Sequence, residues 1–284
     1  RAAVADPQPA ELPLVTYLPY SGYFVARDGW GPDSSAMAMS LPGEGLAGHG
    51  HDDALSVQLI VRGQALVGTP YSELKAIVHQ DRYFHRQACG QLYAMTSHNV
   101  VLAGGQPLRH PRELTGIFGV PPTPVSARVE DRAGEVIVFA SHDGYPGARV
   151  SRQLRFQHER GWTVIDEVTG ATGPHVARWH FEYGVDVFRE GKAIVAQRGD
   201  TRLTIRYASP GGCRARLCRG RRWLGRNPLG PDTPSTWVLD LRFDGRLETT
   251  FAINSASLNG SPASPRAVFT RCSNTCPPAS SIRT

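Results

Sequence analysis

The sequence predicts an all-β protein, a large antiparallel β-sandwich with little helix. Three observations lead there. Segments rich in Val, Leu, Ile, Phe and Tyr are stopped by Gly, Pro, Asn or Asp after about ten residues, the rhythm of short strands joined by tight turns. Along Arg149-Val150-Ser151-Arg152-Gln153-Leu154-Arg155-Phe156 apolar and polar residues alternate, so one strand face meets a core and the other meets water. Helix signals are few, the best being Tyr71 to His79, where Ser72 caps a short helix beginning at Glu73. A set of half-apolar sheets buries its surface by packing face to face.

Taken in order, the expected strands are Tyr23 to Ala26, Leu55 to Val61, a run ending in Gly63-Gln64-Ala65-Leu66-Val67, Asn99 to Leu102 and Val136 to Ala140. They continue with Arg149 to Phe156, Thr163 to Glu167, Arg178 to Tyr183, Leu203 to Tyr207, Thr236 to Phe243 and Glu248 to Ile253. Residues 1–20 carry Pro7, Pro9, Pro13 and Pro19 and read as a linker or N-terminal extension, residues 21–256 as the sandwich domain, and residues 257–284 as an irregular Ser/Pro/Thr-rich tail. No period of about 20 to 50 residues repeats, which disfavours a propeller or solenoid.

The 284 residues allow one large core or two small ones, and 40% hydrophobic with 20% charged residues is an ordinary globular composition. No apolar run approaches the roughly 18 residues of a membrane-crossing helix, so no membrane span is expected. The net charge of +6 comes mostly from arginine, much of it at Arg214, Arg216, Arg219, Arg221, Arg222 and Arg226. Guanidinium groups suit carboxylate and sulfate, which makes an anionic polymer a reasonable partner; a solvated edge strand and loop accounts for the cluster without any ligand. No helix-turn-helix, zinc-finger or RNP-like pattern accompanies the charge, so nucleic acid is not an expected partner. The chain begins at Arg1, without an initiating Met, as expected of a trimmed precursor or a fragment. Cys89, Cys213, Cys218, Cys272 and Cys276 have no Cys-x-x-Cys spacing, which argues against a cysteine zinc site; disulfides are compatible with export.

The densest chemistry is Gly48-His49-Gly50-His51-Asp52-Asp53-Ala54-Leu55-Ser56, immediately before a strand. Two histidines around one glycine share a face if the chain is extended, or diverge if the glycine bends it. Imidazole ligates metals and exchanges protons near neutral pH, and Asp52 or Asp53 would orient the rings by accepting a second N–H. Downstream lie Tyr71, then Ser97-His98-Asn99-Val100-Val101, then Ser141-His142-Asp143-Gly144-Tyr145, with Ser21-Gly22-Tyr23-Phe24-Val25-Ala26-Arg27 ahead of them all.

In this order the blocks resemble the carboxy-terminal domain of the heparinase II/III family of polysaccharide lyases, from about Tyr20 to Phe251. The resemblance implies a polysaccharide lyase that cleaves uronic-acid-containing anionic polysaccharide by β-elimination, together with an α/α-toroid domain or subunit that this chain does not contain. It implies His49 as a catalytic histidine facing the substrate and His51 and His98 as zinc ligands; Tyr71, Arg86 and Asn99 are the expected substrate contacts. It also implies a periplasmic or secreted protein. In zinc-binding members a carboxylate follows the next strand, where this chain reads Val67-Gly68-Thr69-Pro70, so Gly68 stands in the aspartate's place. The alternative of another class is a non-catalytic glycan-binding or scaffold domain.

The remaining candidates have plainer readings. His142-Asp143-Gly144-Tyr145 reads as a turn set by its Asp and Gly. His180, alternating with aromatics, reads as a satisfied core histidine, and His79, His85, His110, His158 and His175 as surface groups. Tyr83, Tyr93 and Arg82 join Tyr71 and Arg86 as residues suited to line a sugar cleft, with core packing the plainer reading of the three tyrosines. No Gly-x-Ser-x-Gly elbow, Walker motif or dinucleotide glycine pattern is present, and sequence does not single out a glycosidase carboxylate pair among 25 acids.

Overall fold

The computed structural model describes residues 12–42, 51–69, 95–108, 123–132, 134–158, 160–219 and 236–254. Within them the chain is all-β. The strands are β1 (Val15–Leu18), β2 (Tyr23–Arg27), β3 (Ala36–Ser40), β4 (Val57–Val61), β5 (Gln64–Val67), β6 (Val101–Leu102), β7 (Ser126–Arg132), β8 (Glu135–Tyr145) and β9 (Ala148–Gln157). They continue as β10 (Gly161–Thr169), β11 (His175–His180), β12 (Asp186–Glu190), β13 (Ala193–Arg198), β14 (Thr201–Ala208), β15 (Arg214–Arg219), β16 (Trp237–Phe243) and β17 (Arg246–Ile253). Short 3-10 turns at Met95–Ser97 and Ala103–Gly105 are the helical elements among the described residues. The helix expected over Tyr71 to His79 and the tail 257–284 lie outside the described residues.

Three antiparallel sheets build the sandwich. One has the order β1-β2-β3-β4-β5, one β12-β13-β14-β17-β10-β9-β8-β7, and one β15-β16-β11-β6. The five- and four-stranded sheets are joined by a bridge from Val67 to Phe181, with the Gly68 N–H on the His180 carbonyl and the Glu182 N–H on the Leu66 carbonyl. Together they cover the eight-stranded sheet: Trp179 of β11 packs edge-on against Phe251 of β17, and Arg198 of β13 donates to the Ala65 carbonyl of β5 at 3.2 Å. One apolar core runs through all three sheets, from Phe24 and Leu59 through Trp179 and Leu239 to Leu154 and Phe251.

Period-two alternation explains the layers. In β9 every second residue from Ala148 to Phe156 is buried, and in β10 the inward set is Trp162, Val164, Asp166 and Val168. The same alternation carries Arg152 and Asp166 inward, paired in register across the two strands. At the β4–β5 hairpin Arg62 and Gly63 both have positive φ, 47° and 74°, the two-residue turn that matches strand twist. A Cβ on Gly63 would lie 1.9 Å from the Pro32 carbonyl oxygen, so no other residue fits there.

Several expectations change. Residues 15–18, inside the expected linker, form edge strand β1 with register Val15 to Ala26 through Leu18 to Tyr23. His142 to Tyr145 is the irregular end of β8 rather than a turn: His142 still pairs with Val150, Tyr145 pairs with Ala148, and the chain reverses at Gly147 with φ 71°. His175 is buried, not exposed, and its Nδ1 accepts the Gly104 N–H at 3.0 Å. The first half of the arginine cluster is an edge strand, β15, in keeping with its ligand-free reading, and Cys218 on it and Cys213 just before it are free thiols among the described residues.

Candidate functional site

Two loop-to-strand junctions meet at the site. His51 lies upstream of β4, His98 follows the turn Met95–Ser97, and the fold brings their rings together. His51 Nδ1 and His98 Nε2 face each other at 3.3 Å, with the rings edge-on and their centroids 5.2 Å apart. On its other side His98 Nδ1 is 3.4 Å from the Thr69 hydroxyl. A proton on His98 Nδ1 directed at Thr69 leaves the Nε2 lone pair facing His51. One proton between the two inner nitrogens makes a hydrogen bond; with none, two lone pairs converge on one point.

The pair opens onto a cavity of about 140 Å³, lined by Tyr23, Ser40, His51, Asp53, Ser56, Gln58, Thr69 and His98 among others. Asp53 is largely enclosed, and burial pushes its carboxyl up to about 6 against the opposing hydrogen bond from the Ser40 hydroxyl, with neighbouring Asp52 adding to the rise. Tyr23 is half-exposed on β2; burial raises its phenol first, and the Asp53 charge adds to it. The cavity thus presents two imidazoles, a carboxyl that protonates near the acid side of neutrality, a phenol and hydroxyls.

Asn99 occupies a different position from the one its sequence block suggested. It is fully buried, its Nδ2 donates to the Val57 carbonyl at 2.7 Å and its Oδ1 accepts the His180 N–H at 2.6 Å. Its own N–H donates to the Ser56 hydroxyl at 3.2 Å. A side chain spent on two backbone partners inside the core cannot also reach a sugar, so Asn99 ties β4 to β11 instead of contacting substrate. His180 is the core histidine expected: Nε2 donates to the Thr96 carbonyl at 3.0 Å, and burial, reinforced by Arg178, lowers its pKa to about 3. His49, Tyr71, Arg86, Arg82, Tyr83 and Tyr93 lie outside the described residues.

The separation of the two imidazole nitrogens suits a metal, because ligands bonded at roughly 2.0–2.1 Å to a tetrahedral zinc ion stand roughly 3.3–3.4 Å apart. Among the described residues no group of three His, Cys, Asp or Glu is placed to hold a metal ion. At Gly68 the space an aspartate would need is filled, since a Cβ there would lie 2.1 Å from Oε1 of Glu182. That carboxyl is half-buried, its pKa raised by burial and lowered by Arg198 and a backbone N–H.

Sequence reading missed Ser40, Thr69 and Arg152. Thr69 stood in plain view beside Gly68. Ser40 offers no signal, since its approach to Asp53 exists only through the pairing of β2, β3 and β4.

Fold and site together define an antiparallel β-sandwich domain that carries a histidine pair at a cavity beside strands β2, β3 and β4. The family model for the Heparinase II/III-like C-terminal domain matches residues 10–253, and the chain belongs to that family. No curated protein matches it. Among solved structures, a heparinase III gene product is similar with a TM-score of 0.67 and 15% identity, over 86% of this chain and 36% of that one. The heparan sulfate lyase HepC from Pedobacter heparinus has a TM-score of 0.68 and 13% identity, over 87% of this chain and 38% of that one. A further heparinase III structure gives 0.62 at 15% identity, over 86% and 37%. The chain spans little more than a third of the length of these structures. At such identities they share the fold, a polysaccharide lyase domain context being supplied by the family. No helix among the described residues is long and apolar enough to cross a membrane.

Proposed function

We propose that this chain is the β-sandwich portion of a polysaccharide lyase that cleaves uronic-acid-containing anionic polysaccharide by β-elimination, working with an α/α-toroid outside this chain. In that reaction a base removes the C5 proton of a uronate, the electron pair forms the C4–C5 double bond, the C4–O4 bond breaks, and an acid returns a proton to the departing oxygen. Neutralising the uronate carboxylate stabilises the carbanion-like state. His49 is the residue of this chain that faces the substrate, assisting the proton transfers or neutralising the carboxylate; Tyr71 and Arg86 contact the sugar. The toroid contributes a catalytic tyrosine that shares the proton transfers with the histidine. The observation that carries the reading is the meeting of His51 and His98 at a cavity, within a family match that runs through both.

Zinc enters this reading as a structural ion. His51 and His98 would hold it, and its chemistry there is to fix two loop segments against each other; the proton transfers belong to His49 and its partners. A periplasmic or secreted location follows from an extracellular polymer as substrate.

The test uses the full-length protein and uronate-containing glycans. New unsaturated uronate ends, seen as ultraviolet absorbance, are expected, with a rate that falls in His49→Ala by at least the roughly 100-fold typical of a lost acid–base group. An unchanged rate removes His49 from the mechanism, and tight glycan binding without any new absorbance replaces the lyase with a glycan-binding domain. Elemental analysis of protein prepared without added metal decides zinc, near-zero stoichiometry refuting it.

A further inference from the structure

Arg152 is a charged residue in the middle of the core. It lies on β9 with its side chain wholly enclosed, paired with Asp166 of β10 through Nε to Oδ1 at 2.6 Å and Nη2 to Oδ2 at 3.1 Å. Its face lies against the Trp179 ring at 5.0 Å. An ion pair of this kind is complete with those two bonds. Yet Nη1 makes two more, to the Leu55 carbonyl at 2.8 Å and to the Asn99 carbonyl at 2.6 Å. Leu55 closes the segment that carries His51, and Asn99 is the residue after His98.

A second feature points to the same bond. Leu55 holds φ at 65°, the left-handed region that a bulky side chain avoids, and its side chain is buried. Such a conformation persists only where its surroundings hold it. Here the Leu55 N–H donates to the Ser40 carbonyl at 3.0 Å while its carbonyl is fixed by Arg152. The peptide is clamped at both ends, and the Ser40 side chain holds Asp53 in the same stretch.

We propose that Arg152 is a positioning residue for the histidine pair: one rigid guanidinium holds the Leu55 and Asn99 carbonyls and thereby sets how His51 and His98 face each other. Guanidinium is planar, so its two carbonyl partners cannot drift independently while Asp166 fixes the opposite edge. Calling the pair functional rests on the proposed function; the effect of Arg152 on its geometry does not.

The experiment reads geometry directly. Imidazole NMR on the histidine-labelled 284-residue chain, with His51 and His98 assigned by single His→Gln variants, is compared with Arg152→Met/Asp166→Leu, which replaces the ion pair by apolar side chains. Arg152→Lys is the second variant, keeping a cation beside Asp166 while its single amine lacks the fork. Ile205→Ala on β14 serves as a control for general loosening. The expected result is a shift of both His51 and His98 ring signals in the two Arg152 variants, with His158 and His175 unmoved, and no such shift in the control at matched thermal midpoint. Unchanged His51 and His98 signals in either folded Arg152 variant overturn the proposal, as does an equal shift in the control. If the double variant does not fold, the Lys variant decides alone. Absence of lyase turnover would sink the proposed function and leave this result standing.

Discussion

His51 and His98 differ from His142 and His180 in what their ring nitrogens meet. The first two face each other across 3.3 Å at the wall of a cavity, with a hydroxyl behind one of them. The other two are enclosed, and each spends a nitrogen on the backbone: His142 Nδ1 accepts the Gly144 N–H at 3.2 Å, and His180 Nε2 donates to the Thr96 carbonyl. Burial holds both enclosed rings neutral, His142 at about 4 and His180 at about 3. The difference teaches that a histidine's role here is decided by the element carrying it. Strand interiors make imidazole a structural polar group, whereas the two loop-to-strand junctions bring imidazole nitrogens together beside a cavity.

The comparison also predicts where the molecule is fragile. The cavity pair depends on a buried frame, Arg152 with Asp166, that the chain cannot half-remove. Asp166→Ala leaves a guanidinium charge enclosed without its counterion, at a cost of about 3–5 kcal/mol. For a domain of this size the thermal midpoint should fall by roughly 10 °C. Calorimetry checks it; a midpoint within a degree or two of wild type would mean that water reaches Arg152 and that the frame is not a frame.

How much of this was legible beforehand divides along the same line. Strand periodicity exposed the sandwich, and the strict alternation of Arg149 to Phe156 already placed Arg152 on the apolar face with Val150 and Leu154. The same count places Asp166 inward on β10, so the ion pair was readable by anyone who trusted period two over the habit of putting arginine outside. The joining of His51 to His98 came from family resemblance. What sequence could not supply was depth. Asn99 and His98 are adjacent, yet one is locked into backbone bonds and the other faces a cavity, because only the cross-sheet bridges to Val57 and His180 decide which side chain is used up. His175 likewise looks exposed among Gly173, Pro174 and Ala171 until the turn at Ala103–Gly105 covers it.

The enclosed histidines give the next largest effect, through acid. Their folded pKa values lie below the ordinary imidazole value of 6.5, so the stability they confer is whole above pH 6.5 and is lost as pH falls through their folded values, about 4 for His142 and about 3 for His180. At about 1.4 kcal/mol per pH unit, His142 alone carries at most about 3 kcal/mol of acid lability. Protonation would also put a second N–H against the Gly144 N–H. His142→Asn keeps an acceptor near Nδ1 without the titration, so its acid-unfolding midpoint should move to lower pH while stability at pH 7 changes little. A midpoint that stays in place would show His142 to be solvated before unfolding.

The smallest expected effect tests why, among the described residues, the cavity pair does not grow into a group of three metal-ligating side chains. Gly68 is not a conformational necessity, since it is absent from the positive-φ glycines; what excludes a side chain is Glu182, whose Oε1 lies 2.1 Å from a would-be Cβ. That oxygen ends a flexible side chain, so Gly68→Ala should cost only about 1 kcal/mol, with Glu182→Ala relieving it, a non-additivity visible in a denaturant double-mutant cycle. The same background then offers room for Gly68→Asp. If a carboxylate at this position completes the pair formed by His51 and His98, zinc content by elemental analysis should rise above that of the wild type toward one per chain. If it does not rise, the spacing of the two nitrogens belongs to a hydrogen bond between imidazoles, with Thr69 fixing the tautomer, and Glu182 with Arg198 is the ordinary filling of a strand junction.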